Sequence, residues 1–100
     1  MTPFEAIAEP NRRQILELLR AGERPAGELV LATGLSQPGL SKHLRLLREA
    51  GLVSMRPDGQ RRLYRLEPEE LEALDEWLQP FRSFWTARLD ALEDHLEKEQ

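Results

Sequence analysis

The chain has 100 residues and no cysteine, which removes disulfides, thiolate metal sites and cysteine nucleophiles and leaves the redox compartment open. No apolar run approaches the ~20 residues that a membrane-spanning helix needs. The start, Met1-Thr2-Pro3-Phe4-Glu5, lacks a basic stretch followed by an apolar one. No export leader is therefore expected, and the cytoplasm is the expected compartment. Six Gly and seven Pro are too few for a low-complexity segment, and 40% hydrophobic residues are too many for a disordered tail. Catalytic signatures are missing too. There is no glycine-rich phosphate loop and no Ser/His/acid set with helpful context, and Asp75/Glu76 and Asp90/Glu93/Asp94 fall on a polar helix face. The expectation is a single domain that is not an enzyme and needs no cofactor. A lone chain of this size buries only roughly 60–65% of its unfolded surface, so a second copy covering an apolar helix would help it.

What is present is an uneven distribution of charge. The formal net charge is −4, which argues naively against a polyanionic partner. Residues 1–66 hold 11 Lys+Arg against 7 Asp+Glu, a net of +4, whereas residues 67–100 hold 3 against 11, a net of −8. The basic excess is densest in 36–66, where Lys42, Arg45, Arg48, Arg56, Arg61, Arg62 and Arg65 face only Glu49 and Asp58. Such asymmetry suits one half that meets a polyanion and another that stays away from it. A solvated face beside an acidic helix would give the same composition.

Ile15, Leu16, Leu18 and Leu19, after Pro10 in a first turn, predict an amphipathic helix ended by Gly22. A short helix over 26–33 stops at Gly34. Ser36 is a good N-cap for a third helix with Pro38 in its first turn, running to Ala50 and closed by Gly51. Two helices joined by Gly34-Leu35-Ser36 have the form of a helix-turn-helix. Next, 52–56 and 60–66 read as strands around Pro57-Asp58-Gly59, a local hairpin signal. From Pro68 the chain reads as helix, with a kink or two abutting helices expected at Pro80. Leu71, Leu74, Leu78, Phe81, Trp85, Leu89, Leu92 and Leu96 recur at spacings of three and four, a coiled-coil-like seam. Trp77 and Phe84 widen it. The predicted class is mainly α with a small β-hairpin wing: a winged helix-turn-helix over 1–66 and a C-terminal helical arm over 67–100.

Leu40, Leu44 and Leu47 fall within about 60° on the third helix and must face the core. Gln37, Ser41, Arg45 and Arg48 cluster on another side, with Pro38 and Lys42 adjoining. Arg or Lys can read guanine, Gln adenine and Ser either base, and the helix start can meet a phosphate. A solvent-exposed helix face would use the same residue types. The basic hairpin immediately downstream favours DNA.

The segment Phe4-Glu5-Ala6-Ile7-Ala8-Glu9-Pro10-Asn11-Arg12-Arg13-Gln14-Ile15-Leu16 resembles the opening of ArsR/SmtB-type winged-helix repressors. Residues 35–53, from Leu35-Ser36-Gln37-Pro38 to Gly51-Leu52-Val53, are similar to that family's recognition segment, and 58–66 to its wing. The resemblance covers about residues 4–66. It implies a homodimer that binds a palindromic operator in double-stranded DNA and represses transcription. Carried over by position, it implies DNA contacts from Ser36, Gln37, Ser41, Lys42 and Arg45 and wing contacts from Arg61 and Arg62. Pro38 and Arg48 join them from the helix-face argument. Terminal helices of the family pair across the two-fold axis, which assigns the interface here to Phe4, Leu74, Leu78, Phe81, Trp85, Leu89, Leu92 and Leu96.

The departures matter as much. Metal-sensing members carry a cysteine cluster before the turn, where this chain reads Glu23-Arg24-Pro25-Ala26-Gly27-Glu28-Leu29-Val30. A second family site uses histidines and carboxylates in the last helix, where this chain offers one histidine, His95, beside Asp94, Glu97 and Glu99. That donor set is poor for a transition metal, so no metal site is expected. His43 is expected to be structural, hydrogen-bonded at the packing seam. The aromatic stripe reads as packing, although a cleft between dimer helices lined by Trp77, Phe81, Phe84 and Trp85 could hold an apolar small-molecule effector. Two alternatives stay open: a winged-helix protein-interaction module, and a metal-responsive switch.

Overall fold

The computed structural model describes residues 1–98. The order of elements is α1 (Pro3–Ile7), α2 (Pro10–Arg20), β1 (Arg24–Pro25), α3 (Ala26–Thr33), α4 (Gln37–Glu49), β2 (Val53–Asp58), β3 (Arg61–Leu66) and α5 (Pro68–Lys98). Helix starts follow local chemistry. The Thr2 side chain caps α1 and Glu5 reaches back to it, a capping box. Glu9 caps α2, with Pro10 in the first turn. Gly34 ends α3 at φ 73°, a left-handed position that costs glycine nothing. Ser36 then starts α4 by accepting from the Gly39 amide at 3.1 Å.

The core gathers one face of each element. Ile15 and Leu19 of α2, Leu29 of α3 and Leu40, Leu44 and Leu47 of α4 are buried together with Leu52, Val53 and Tyr64. The helix-turn-helix therefore rests on α2 from one side and on the sheet from the other. Arg12 is also buried, 9% exposed, with its charge spent on carbonyls: Nε donates to Ala6 O at 2.8 Å and Nη2 to Glu5 O at 3.2 Å. It closes the C-terminal end of α1, where a cation is favoured.

The sheet has three antiparallel strands in the order β1-β3-β2. Strand β1 escapes a sequence reading because its two residues, Arg24 and Pro25, carry no strand pattern; they pair with Tyr64 and Leu63. The hairpin turn is one step later than the sequence suggests. Pro57 and Asp58 pair with Arg62 and Arg61, leaving Gly59 and Gln60 as a two-residue turn with Gly59 at φ 64°. Positive φ at the first central position suits a type II′ hairpin. Pro57 is tolerated because β2 is an edge strand.

Of the kink or two abutting helices expected at Pro80, the second does not occur: α5 is one helix that contains Pro80. Pro80 and Glu76 are both exposed, so the carbonyl that Pro80 cannot serve is left to water. Leu71, Leu74 and Leu78 pack against the body, and every described residue from 79 onward is exposed. That free stretch makes the molecule elongated, 64 × 25 × 20 Å with a radius of gyration of 18.3 Å against ~13 Å for a compact chain of this length. No helix among the described residues is long and apolar enough to cross a membrane.

Candidate nucleic-acid interface

The buried leucines of α4 fix which side of the helix is wet. With Leu40, Leu44 and Leu47 inward, Gln37, Pro38, Ser41, Lys42, Arg45 and Arg48 are all exposed, as is Ser36 at the cap. Pro38, Ser41, Lys42 and Arg45 line a shallow depression of about 350 Å³ along this face. Gly39 lies close beneath the cap, where an added Cβ would come within 3.1 Å of Ser36 Oγ.

Ion pairing divides the seven basic residues of 36–66 into two sets. Arg56 is held by Glu23 at 2.7 Å, Arg61 by Asp58 at 3.0 Å and Arg65 by Glu67 at 3.2 Å. Lys42, Arg45, Arg48 and Arg62 have no acidic partner among the described residues. The unpaired set occupies the exposed face of α4 and the tip of the wing. Its positive potential is uncompensated, which is what a polyanion meets first. Of the two wing residues expected to touch DNA, Arg62 is unpaired and Arg61 shares its charge with Asp58.

Acids at the edges of the site are held ionised. The Glu23 carboxyl lies below its ordinary value because Arg56 donates to it, and slight desolvation only partly opposes this. Glu67 is lowered by the Ser54 hydroxyl, which donates at 2.5 Å, against slight desolvation and with help from Arg65. At Glu9 desolvation pushes upward, but hydrogen bonds from Arg12 and Asn11 and the nearby His43 and Arg12 charges outweigh it. His43 departs from expectation. It is half-buried at the seam as anticipated, yet its Nδ1 has no hydrogen bond, and Glu9 Oε2 lies 3.9 Å away.

The residues assigned to a dimer interface fall into two groups. Leu74 is 7% exposed and covered by its own chain, and Leu78 is half-buried. Phe4, Phe81, Trp85, Leu89, Leu92 and Leu96 stay 44–65% exposed. Phe4 of α1 meets Trp77 edge-on at 5.4 Å, and Trp77 stacks on Phe81 at 4.7 Å, so α1 and α5 form one aromatic surface. Trp77, Phe81, Phe84 and Trp85 are all exposed on the single chain. A separate apolar groove of about 390 Å³ lies between α2 and α5, floored by Leu16, Leu71, Leu74 and Leu78.

Sequence reasoning missed Arg12 as a helix clamp and the Glu23–Arg56 pair. Partners 33 residues apart leave no local pattern to read. No group of three His, Asp or Glu side chains that could hold a metal ion occurs among the described residues, and Glu99 lies outside them. With no cysteine in the chain, no thiolate is available to a soft metal ion.

A helix-turn-helix with a β-wing and an uncompensated basic face defines a DNA-binding regulator of winged-helix type. Residues 9–55 match the bacterial regulatory protein arsR family. The chain is 38% identical over 96 residues to the HTH-type transcriptional regulator Rv2034 of Mycobacterium tuberculosis, covering 96% of this chain and 87% of that one. It is 36% identical over 78 residues to the transcriptional repressor SdpR of Bacillus subtilis, covering 78% and 87%. A crystal structure described as a possible transcriptional regulator for arsenical resistance superposes with a TM-score of 0.71 at 44% identity, over 88% of each chain. The chain belongs to the ArsR family, and it is a DNA-binding transcriptional regulator.

Proposed function

We propose that the protein is a homodimeric repressor acting in the cytoplasm on a palindromic operator. The observation that carries this reading is the placement of the unpaired cations Lys42, Arg45, Arg48 and Arg62 on one exposed helix face and one wing tip. In the dimer, two copies of α4 lie about 34 Å apart and enter successive major grooves. Gln37, Ser41 and Arg45 reach base edges. Ser36 and Pro38 bring the start of α4 to a phosphate. Lys42, Arg48, Arg61 and Arg62 neutralise further phosphates and release counterions.

Residues 1–66 make the DNA-binding region, and 67–100 the arm that joins two copies. The arm keeps its net −8 away from the phosphates while its apolar stripe closes on the partner's. One protomer alone binds weakly, and the arm supplies affinity by raising the effective concentration of the second.

The test is binding of a labelled promoter duplex, followed by fluorescence anisotropy over a salt series. A log–log slope of several units is expected, falling by ~0.9 for each phosphate contact removed. Binding that is insensitive to salt, or absent for every duplex, would leave the exposed face of α4 to a protein partner.

A further inference from the structure

We propose that the Glu23–Arg56 ion pair is a positioning clasp that fixes the pitch of the wing relative to α4, so that it governs DNA affinity without touching DNA. The inference rests on the reading of the wing as a DNA-contacting element. Arg56 Nε donates to Glu23 Oε2 at 2.9 Å and Nη2 to Oε1 at 2.7 Å, the two-pronged geometry that orients a guanidinium most tightly. Glu23 immediately precedes β1, and Arg56 sits on β2, with β3 between them. The clasp therefore straddles two strand spacings, about 10 Å, across one face of the sheet. Arg56 pairs in register with Leu63, which places both on that face.

The connection matters because of what lies at each end. Glu23 leads through the two residues of β1 directly into α3 and α4, whereas Arg56 lies two residues before the end of β2 at the wing turn. β1 contributes only two ladder positions to its pairing with β3. Without the clasp, the outer half of β2 is joined to the body through β3 alone. With it, the tip that carries Arg62 has a second tie to the start of the helix-turn-helix. Exposed ion pairs add little to global stability, so the expected consequence is in orientation and not in folding.

A purely electrostatic role predicts the opposite sign. Removing the Glu23 charge would release Arg56 toward phosphate, tighten binding and steepen the salt slope. A clasp predicts that the same change weakens binding.

The experiment uses the full chain and a duplex selected from a random library by the unsubstituted protein. Glu23→Gln and Arg56→Gln should each weaken binding about threefold, the scale of coupling between exposed bidentate partners. The double variant should lose no more than either single. Arg56→Lys should fail to rescue, because an ammonium cannot make the two-pronged contact, while the exchanged pair Glu23→Arg with Arg56→Glu should recover affinity. Thermal melting at neutral pH should shift little throughout, as befits an exposed pair. Unchanged or tighter binding by Glu23→Gln, or losses that add, overturns the clasp. Arg62→Ala run in parallel should lower the salt slope. A slope that stays put refutes the wing contact itself, which distinguishes that failure from failure of the clasp.

Discussion

Replacing Trp85 by Glu tests whether the arm joins two copies. Trp85 is 56% exposed on the isolated chain. An aromatic side chain offers roughly 150–250 Å², so about 85–140 Å² of Trp85 awaits a partner, and full coverage would stabilise by about 2–3 kcal/mol. Half coverage gives about 1 kcal/mol per protomer and twice that for a symmetric pair, because an isologous interface loses the residue on both sides. Two carboxylates introduced near the two-fold axis add repulsion in an arm that already carries net −8. At ~1.4 kcal/mol per tenfold, the lost burial alone should raise the dimer Kd by about 30-fold, and the repulsion should raise it further. Sedimentation equilibrium over a concentration series reads this directly. The body should stay folded, because no described residue beyond 78 is buried against it. Circular dichroism checks that, and Trp85→Phe should remain dimeric. A Trp85→Glu chain that sediments as a dimer with an unchanged Kd would refute the assignment of this surface.

Further outcomes follow from the same geometry. Gln37→Ala should cost ~1–3 kcal/mol at one base position and little elsewhere, measured on a panel of single-base operator variants. Arg62→Ala should flatten the salt slope by ~0.9, whereas Arg65→Ala, whose charge is already engaged by Glu67, should leave it unchanged. Leu44→Ala removes a side chain that is 2% exposed and should lower unfolding stability by about 2–5 kcal/mol in urea. Glu9, Glu23 and Glu67 are all held below their ordinary value of 4.5, so the folded chain resists protonation longer than the unfolded one. Their contribution is present above that value and drains away as pH falls below it, and Glu67→Gln should reduce the loss of Tm on the acid side.

The reach of sequence reasoning can be judged element by element. Helix α4 was legible because its leucines repeat with the helical period and Ser36, Pro38 and Gly51 punctuate its ends. The exposed polar face of α4 followed from the same periodicity. Strand β1 was not legible, since Arg24 and Pro25 become a strand only by pairing with Leu63 and Tyr64 far along the chain. The alternative of two abutting helices at Pro80 fails for a related reason. A local rule against proline in helices says nothing of whether the orphaned carbonyl can reach water. The charge count placed seven cations in 36–66 but could not divide them, because the pairing that silences Arg56 is tertiary, 33 residues away along the chain. The stripe on α5 was visible in sequence as one seam. Only the fold divides it into Leu71 and Leu74, used within the chain, and the stretch from Phe81 to Leu96 that remains open.

The most direct measurement is the selection of bound sites from a random duplex library, followed by footprinting of the selected duplex. Two inverted half-sites centred about 10 base pairs apart on one face of the helix should emerge, with each α4 protecting a major groove. Enrichment of a lone asymmetric site, or of no sequence at all, would contradict paired reading heads.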